Sequence, residues 1–273
     1  MPTERAILIP FLKWPGGKRW FVQYYSGLLP GRFNRYIEPF LGGASVYFHL
    51  QPAAAVLTDS NVDLVATYEA VKTNWSRLQE KLTEHHKNHS DRYYYRVRGM
   101  RTQSLVSKAS RMIYLNRTCF NGIYRTNKKG QFNVPRGDRD DVVKETDDFE
   151  AISKLLAGAD IRHADFETSI DEARRGDLIF ADPPYTVRHN LNGFVRYNET
   201  LFSWADQERL AVALSRARRR GAKIVCTNAN HSSIRELYAD GGFTLRPIRR
   251  FSPISATSSS RKQFSELVIL ANT

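Results

Sequence analysis

The run Asp177-Leu178-Ile179-Phe180-Ala181 followed by Asp182-Pro183-Pro184-Tyr185 constrains this chain more than any other stretch. A short apolar run of this kind reads as a buried strand. Proline has no N–H to give to a central ladder, so the strand stops at Asp182 and the backbone turns there. In an open α/β sheet, ligands bind at the carboxyl ends of strands. The motif therefore sets a carboxylate, two stiff prolines with their carbonyls, and an aromatic face at such an edge. A target amino group could give one proton to Asp182 and one to the Pro183 carbonyl while its ring stacks on Tyr185. A plain Pro-Pro turn after a strand has the same four residues, so the rest of the chain must decide.

Before the motif, residues 36–48 read as a strand, a glycine turn and a helix, with Glu38 at the strand end and Gly42-Gly43 in the turn. This opens a βαβ unit without the dinucleotide-binding glycine pattern. Residues 55–59 form the next strand and end on Asp59, placed either to hold a ribose or to cap the helix that follows; the two roles are compatible. Residues 63–84 read as an amphipathic helix with Leu64, Tyr68, Val71, Trp75, Leu78 and Leu82 on one stripe. His85, His86 and His89 follow as solvated helix-end residues, since no cysteine or well-spaced acid completes a metal site. Residues 159–166 give a strand closed by Asp165 and Phe166, suited to the edge and face of a purine. Trp14-Pro15-Gly16-Gly17-Lys18 is a loop whose glycines admit close backbone approach and whose lysine suits an anion.

After the motif, residues 188–200 read as a mobile polar loop. Ser203 and Asp206 make a capping box for a helix to Arg220, whose terminal arginines offset the helix dipole. A strand at 223–227, a helix from Ser232 stopped by Gly241-Gly242, and an antiparallel pair at 243–246 and 266–270 close the pattern. Between the last two strands, residues 255–262 are Ser-rich.

Formal net charge is +13, and its distribution says more than its total. Residues 92–139 hold twelve Lys or Arg and one acid, whereas the remainder holds 29 basic and 27 acidic residues. Tyr93, Tyr94, Tyr95, Tyr114, Phe120, Tyr124 and Phe132 are interleaved with those charges, which suits phosphate contacts beside stacking groups. Tyr124-Arg125-Thr126 and residues 131–134 flank Asn127-Lys128-Lys129-Gly130, a four-residue glycine-containing turn, which predicts a β-hairpin with a basic tip. No stretch has transmembrane length, the first residues lack a signal-peptide pattern, and the two distant cysteines, Cys119 and Cys226, fit a reducing compartment.

Together these pieces resemble the Dam-type, D12 class, DNA adenine-N6 methyltransferases. The matching stretches are Lys-Trp-Pro-Gly-Gly-Lys at 13–18, Glu-Pro-Phe-Leu-Gly-Gly-Ala-Ser at 38–45 and Thr-Asp-Ser-Asn at 58–61. They continue at 114–125, 130–135, 164–166 and 181–185, in the family's order. Pro15 stands where the family usually has Ala, and Ala44 where Gly is common.

The resemblance implies an α/β fold: a Rossmann-like S-adenosylmethionine-dependent methyltransferase sheet over 1–70 and 154–273. An inserted helical and β-hairpin target-recognition domain would span 71–153, with its hairpin near 118–137. It implies S-adenosylmethionine as cofactor, held by Trp14, Pro15, Gly16, Lys18, Glu38, Phe40, Gly42, Gly43, Asp59, Asp165, Phe166 and Asp182. Catalysis falls to Asp182, Pro183, Pro184 and Tyr185, acting on an adenine turned out of double-stranded DNA, with no metal. DNA contacts fall to Lys13, Arg117, Asn121, Tyr124, Arg125, Lys128, Lys129, Pro135 and Arg136, with Arg125 reading a base beside the target. The implied setting is the cytoplasm and nucleoid of a bacterial or phage-infected cell. The rival readings are an amino methyltransferase for cytosine N4, RNA or a protein glutamine, and a non-catalytic DNA-binding protein. Intact Lys18, Asp59, Asp182 and Tyr185 argue against the last.

Overall fold

The computed structural model describes residues 7–122, 124–127, 130–187, 202–251 and 263–273. The expected loop at 188–200, the Ser-rich stretch at 255–262 and the hairpin tip residues Lys128 and Lys129 lie outside the described residues. Seven strands form one mixed sheet in the order β3-β2-β1-β4-β5-β7-β6. They are β1 (Tyr36–Glu38), β2 (Ala55–Asp59), β3 (Ala159–His163), β4 (Leu178–Ala181), β5 (Lys223–Ala229), β6 (Thr244–Phe251) and β7 (Gln263–Ala271). Strand β1 pairs in parallel with β2 and β4, and β4 with β5, whereas β7 is antiparallel to both β5 and β6. The closing antiparallel pair expected from the sequence is present, with longer strands. Pro247 is tolerated in β6 because that strand is at the sheet edge.

The chain divides into two compact units. One comprises Met1–Val22, Leu41–Ala53 and Asp59–His163; the other comprises Gln23–Phe40, Ala54–Thr58 and Ala164–Thr273.

The first unit is built on α3 (Val62–Lys87), whose Leu64, Tyr68, Val71, Leu78 and Leu82 are buried as the stripe requires. That stripe packs on α5 (Leu105–Thr118) and α6 (Phe149–Leu156), and for this reason α3 belongs with the basic segment. The helix cap is Asn61, which accepts from the backbone N–H groups of Asp63 and Leu64. Asp59 therefore does not serve as the cap. The histidines at and just after the end of α3 are not simply solvated. His85 Nδ1 lies 2.8 Å from the Tyr93 hydroxyl and its ring stacks on Tyr114. His89 bridges the Tyr114 hydroxyl and Asp140. Tyr93 and Tyr94 of α4 (Asp91–Gly99) and Tyr114 of α5 give the rings a partly apolar, hydrogen-bonding bed.

The second unit holds six of the strands. Its core runs through Ile37, Ile179, Ile224 and Ile269 of the sheet to Leu210 and Leu214 of α8 (Trp204–Arg219). The expected capping box is formed by Ser203 and Asp206. The arginines of α8 do more than offset the helix dipole: Arg209 and Arg216 pair with Asp165, Glu167 and Asp171 around α7 (Phe166–Asp171). Another carboxylate, Asp177, is 2% exposed and accepts from Arg35 Nε and Nη2, tying the start of β4 to the segment before β1.

Candidate active site

The chain fills the sheet outward from β1 and then returns to place β4 on the other side of β1. The carboxyl ends of β1 and β4 thus flank the point where strand order reverses, the usual ligand crevice of an open α/β sheet. Glu38 ends β1 and is buried. Asp182 follows β4.

Three polar handles of the Asp182–Tyr185 motif are held by neighbouring elements of the second unit. Because Ala181 is in register with Cys226, the next residues, Asp182 and Thr227, come level, and Thr227 Oγ1 donates to Asp182 Oδ1 at 2.7 Å. The Pro184 carbonyl accepts from Gln207 Nε2 of α8, and Gln207 Oε1 in turn accepts from Asn228 Nδ2 of β5. Gln207 and Asn228 are fully buried. The Tyr185 hydroxyl donates to Glu266 Oε2 of β7 at 2.6 Å. Burial, with the carboxylates of Asp182 and Glu266 nearby, pushes the Tyr185 phenol far above its ordinary range, so it stays neutral. The prolines bring no N–H, and Pro183 is buried.

Phe40 and Phe166 stack with centroids 5.4 Å apart, and Phe202 meets both. Asp165 caps α7 by accepting from the Glu167 N–H, and its carboxylate also pairs with Arg209. Asp165 and Phe166, expected to close the strand over 159–166, instead cap and open α7 after β3 ends at His163, with Arg209 lying over the Phe166 ring.

In the first unit, Gly42 has φ +46, and a Cβ there would lie 2.9 Å from Trp14 Cδ1. Only glycine allows that contact. The Gly42 N–H donates to Asp59 Oδ2, the Asn61 N–H donates to Oδ1, and the Gly42 carbonyl accepts from the Tyr68 hydroxyl. Burial raises the Asp59 carboxyl, and these N–H groups oppose the shift. Gly43 packs against the Trp14 side chain. Pro15 and Gly16 are exposed, whereas Lys18 is buried and donates from Nζ to the Gly16 carbonyl. The structure thus gathers Trp14, Gly42, Gly43 and Asp59 into one cluster, with Lys18 on the loop beside Trp14.

The hairpin forms between Tyr124 and Val134: Thr126 pairs with Phe132, and the Asn127 N–H donates to the Gln131 carbonyl. Gly130 takes φ +72 in the turn. Tyr124 and Phe132 face inward and Arg125 outward. Two of the DNA contacts expected from the sequence need correction. Arg117 is buried, its guanidinium bound to Asp147 and to the carbonyls of Phe11 and Val142, so it serves the core. Tyr124 is also buried, stacked on Trp14 and packed on Phe132. Arg136 is half-buried and pairs with Asp91 and Asp140. Lys13, Asn121 and Pro135 are exposed, with the Lys13 ammonium donating to the Asn121 carbonyl. The Lys13 backbone is gripped at both its N–H and its carbonyl by Asn116, which lies in the matching stretch 114–125 but has no role assigned from the sequence. Thr227, Gln207 and Asn228 lie in no matching stretch at all. Glu266 carried the one available signal, a charge at the head of an otherwise apolar strand.

A Rossmann-like sheet whose β4 ends in a braced Asp-Pro-Pro-Tyr, with a glycine turn and a carboxylate after the first two strands, defines a methyltransferase. Residues 14–252 match the D12 class N6 adenine-specific DNA methyltransferase family. The chain belongs to that family and is an adenine-specific DNA methyltransferase. A Type II methyltransferase of Lactococcus lactis subsp. cremoris is 35% identical over 98% of this chain and 97% of its own length. The DNA N-6-adenine-methyltransferase of Escherichia phage P1 is 33% identical over 94% of this chain and 34% of its own length. A DNA adenine methylase of Vibrio cholerae serotype O1 is 30% identical over 99% of this chain and 97% of its own length.

Proposed function

We propose that the chain transfers the methyl group of S-adenosylmethionine to N6 of an adenine swung out of double-stranded DNA, with Asp182 and the Pro183 carbonyl receiving the adenine amino group. The observation that carries the proposal is the braced motif at the strand-order reversal, with the Asp182 carboxylate held by Thr227 and the Tyr185 ring held by Glu266.

The residues present fit the cofactor by donor-set chemistry. S-adenosylmethionine offers an ammonium, a ribose diol and an exocyclic amine as donors, and a carboxylate as acceptor. Glu38, Asp59 and Asp165 supply a carboxylate at the end of β1, at the end of β2 and just after β3, while Lys18 supplies the cation. Trp14, Pro15, Gly16, Gly42 and Gly43 would line the methionine part, and Phe40 and Phe166 the adenine. When bound, the cofactor supplies an electrophilic sulfonium methyl.

The remaining chemistry belongs to the protein. An exocyclic amine is a poor nucleophile because its lone pair is delocalised into the ring. Accepting its two hydrogens at Asp182 and the Pro183 carbonyl draws the nitrogen toward tetrahedral geometry and frees that pair. The side chains act by orientation and by charge aimed at the developing ammonium. Extruding the base costs on the order of a few kcal/mol, offset by stacking on Tyr185. The outward face of the hairpin, with Arg125, together with Lys13, Asn121, Lys128, Lys129, Pro135 and Arg136, would meet the duplex, making this insertion the recognition element. No helix among the described residues is long and apolar enough to cross a membrane, and a nucleoid setting follows from the substrate.

Calorimetric titration of S-adenosylmethionine into the wild-type chain and Asp59→Ala tests the cofactor. Saturable binding that weakens in the variant is expected. No binding to the wild type would overturn the proposal.

A further inference from the structure

Thr227 touches the reacting end of the motif but belongs to no motif itself. It lies on β5, level with Asp182 through the parallel register of Ala181 with Cys226. It is fully buried, and Oγ1 donates to Asp182 Oδ1 at 2.7 Å. We infer that Thr227 is a positioning residue for methyl transfer: its hydroxyl fixes the Asp182 carboxylate so that the aspartate meets the adenine amino group in one orientation. The inference rests on the proposed role of Asp182.

Left to itself, an aspartate carboxylate turns easily, because its terminal torsion has broad, shallow wells. Threonine is the opposite, stiff at χ1 and clamped here inside a central strand. Its O–H is therefore a fixed donor. A hydrogen bond to an ionised acceptor is short and about twice as strong as a neutral one. It engages Oδ1 from the β5 side and so limits the turn of the carboxylate.

A purely structural need would select another residue. Valine fills nearly the same space in a buried strand, and burying a hydroxyl is costly unless it is bonded. At this position the bond goes to the side chain that the mechanism depends on. The Tyr185 phenol lies against the same hydroxyl, so Thr227 touches both working side chains of the motif.

The test compares Thr227→Val and Thr227→Ser in the full chain, with Asp182→Ala alongside. Thermal midpoint, S-adenosylmethionine affinity, duplex affinity and single-turnover methyl transfer are measured for each. The valine variant is expected to keep both affinities within about twofold and to lose roughly ten- to a hundredfold in the chemical step, the value of one bond to a charged group. Serine should restore most of the rate. If the valine variant does not fold, Thr227→Ala against Thr227→Ser isolates the hydroxyl equally well. A valine variant as fast as wild type, a serine variant as slow as valine, or a loss confined to binding would overturn the inference. An inactive Asp182→Ala beside a normal Thr227→Val defeats this inference alone, whereas a normal Asp182→Ala defeats the reading beneath it.

Discussion

The Tyr185 hydroxyl donates to Glu266 Oε2 at 2.6 Å, so the motif's aromatic ring is tethered from the antiparallel strand β7. The polar end is used for support, and the stacking proposed for this residue falls to the ring. Tyr185→Phe should therefore retain most methyl transfer but lower stability by about 1–3 kcal/mol, because the buried Glu266 is deprived of a donor. Tyr185→Ala should lose a stacking contribution of roughly 1–3 kcal/mol in target binding. Urea unfolding and turnover on one duplex separate the two effects. Complete inactivity of Tyr185→Phe would show that the hydroxyl takes part in the chemistry.

His85 gives a pH dependence of defined sign. Burial lowers its pKa from 6.5 to about 4, so the folded state holds it neutral. The unfolded chain binds that proton first as pH falls. Its contribution is thus complete above pH 6.5 and is lost between there and pH 4, amounting to on the order of 2–3 kcal/mol. His85→Gln can still bond Tyr93 but cannot titrate, and should flatten the unfolding free energy across that window. An unchanged acid slope would contradict this account.

The Arg117–Asp147 pair sits in the core of the first unit, with side chains 1% and 7% exposed. Removing one partner strands a buried charge and should cost about 3–5 kcal/mol. Asp147→Ala should lower the denaturation midpoint accordingly, and Arg117→Ala, measured well below its own midpoint, should keep the salt dependence of duplex affinity. A flattened salt dependence would return Arg117 to the DNA surface.

The sequence made some of this legible and hid the rest for physical reasons. Proline chemistry and an apolar run located the end of β4, and acids at strand ends located Glu38 and Asp59, because these are local signals; Asp165, expected at the end of β3, caps α7 instead. The turn chemistry of Asn127 and Gly130 located the hairpin for the same reason. Thr227, Gln207 and Glu266 depend on which strands and helices become neighbours, and no local pattern encodes that. Arg117 misled because a basic residue in a basic run reads as surface until its partner, 30 residues away, is known. Tyr124 misled likewise. Its position beside an exposed arginine did not reveal that the ribbon's alternation turns it inward onto Trp14.

That alternation leaves Arg125 on the outward face of the ribbon. A two-stranded ribbon fits the major groove, and arginine matches guanine O6 and N7. Arg125→Ala should cost roughly 1–3 kcal/mol of discrimination at one position and relax methylation toward near-cognate sites. Charge reversal at Lys128 and Lys129 should instead flatten the salt dependence, by about 0.9 in log–log slope for each phosphate no longer neutralised, without changing the preferred site. Methylome sequencing of a host expressing each variant distinguishes them. Equal weakening at cognate and near-cognate sites in Arg125→Ala would assign that residue to the phosphates.

The proposed role of Asp182, just after β4, is to prepare an adenine amino group for methyl transfer. Its most direct measurement is nucleoside analysis by mass spectrometry of duplex DNA incubated with methyl-labelled S-adenosylmethionine and either the wild-type chain or Asp182→Ala. Label is expected in N6-methyladenine with the wild type, with a drop of about 100- to 1,000-fold for Asp182→Ala, whose cofactor affinity stays near normal. Label on cytosine, or an Asp182→Ala variant as active as the wild type, would contradict it.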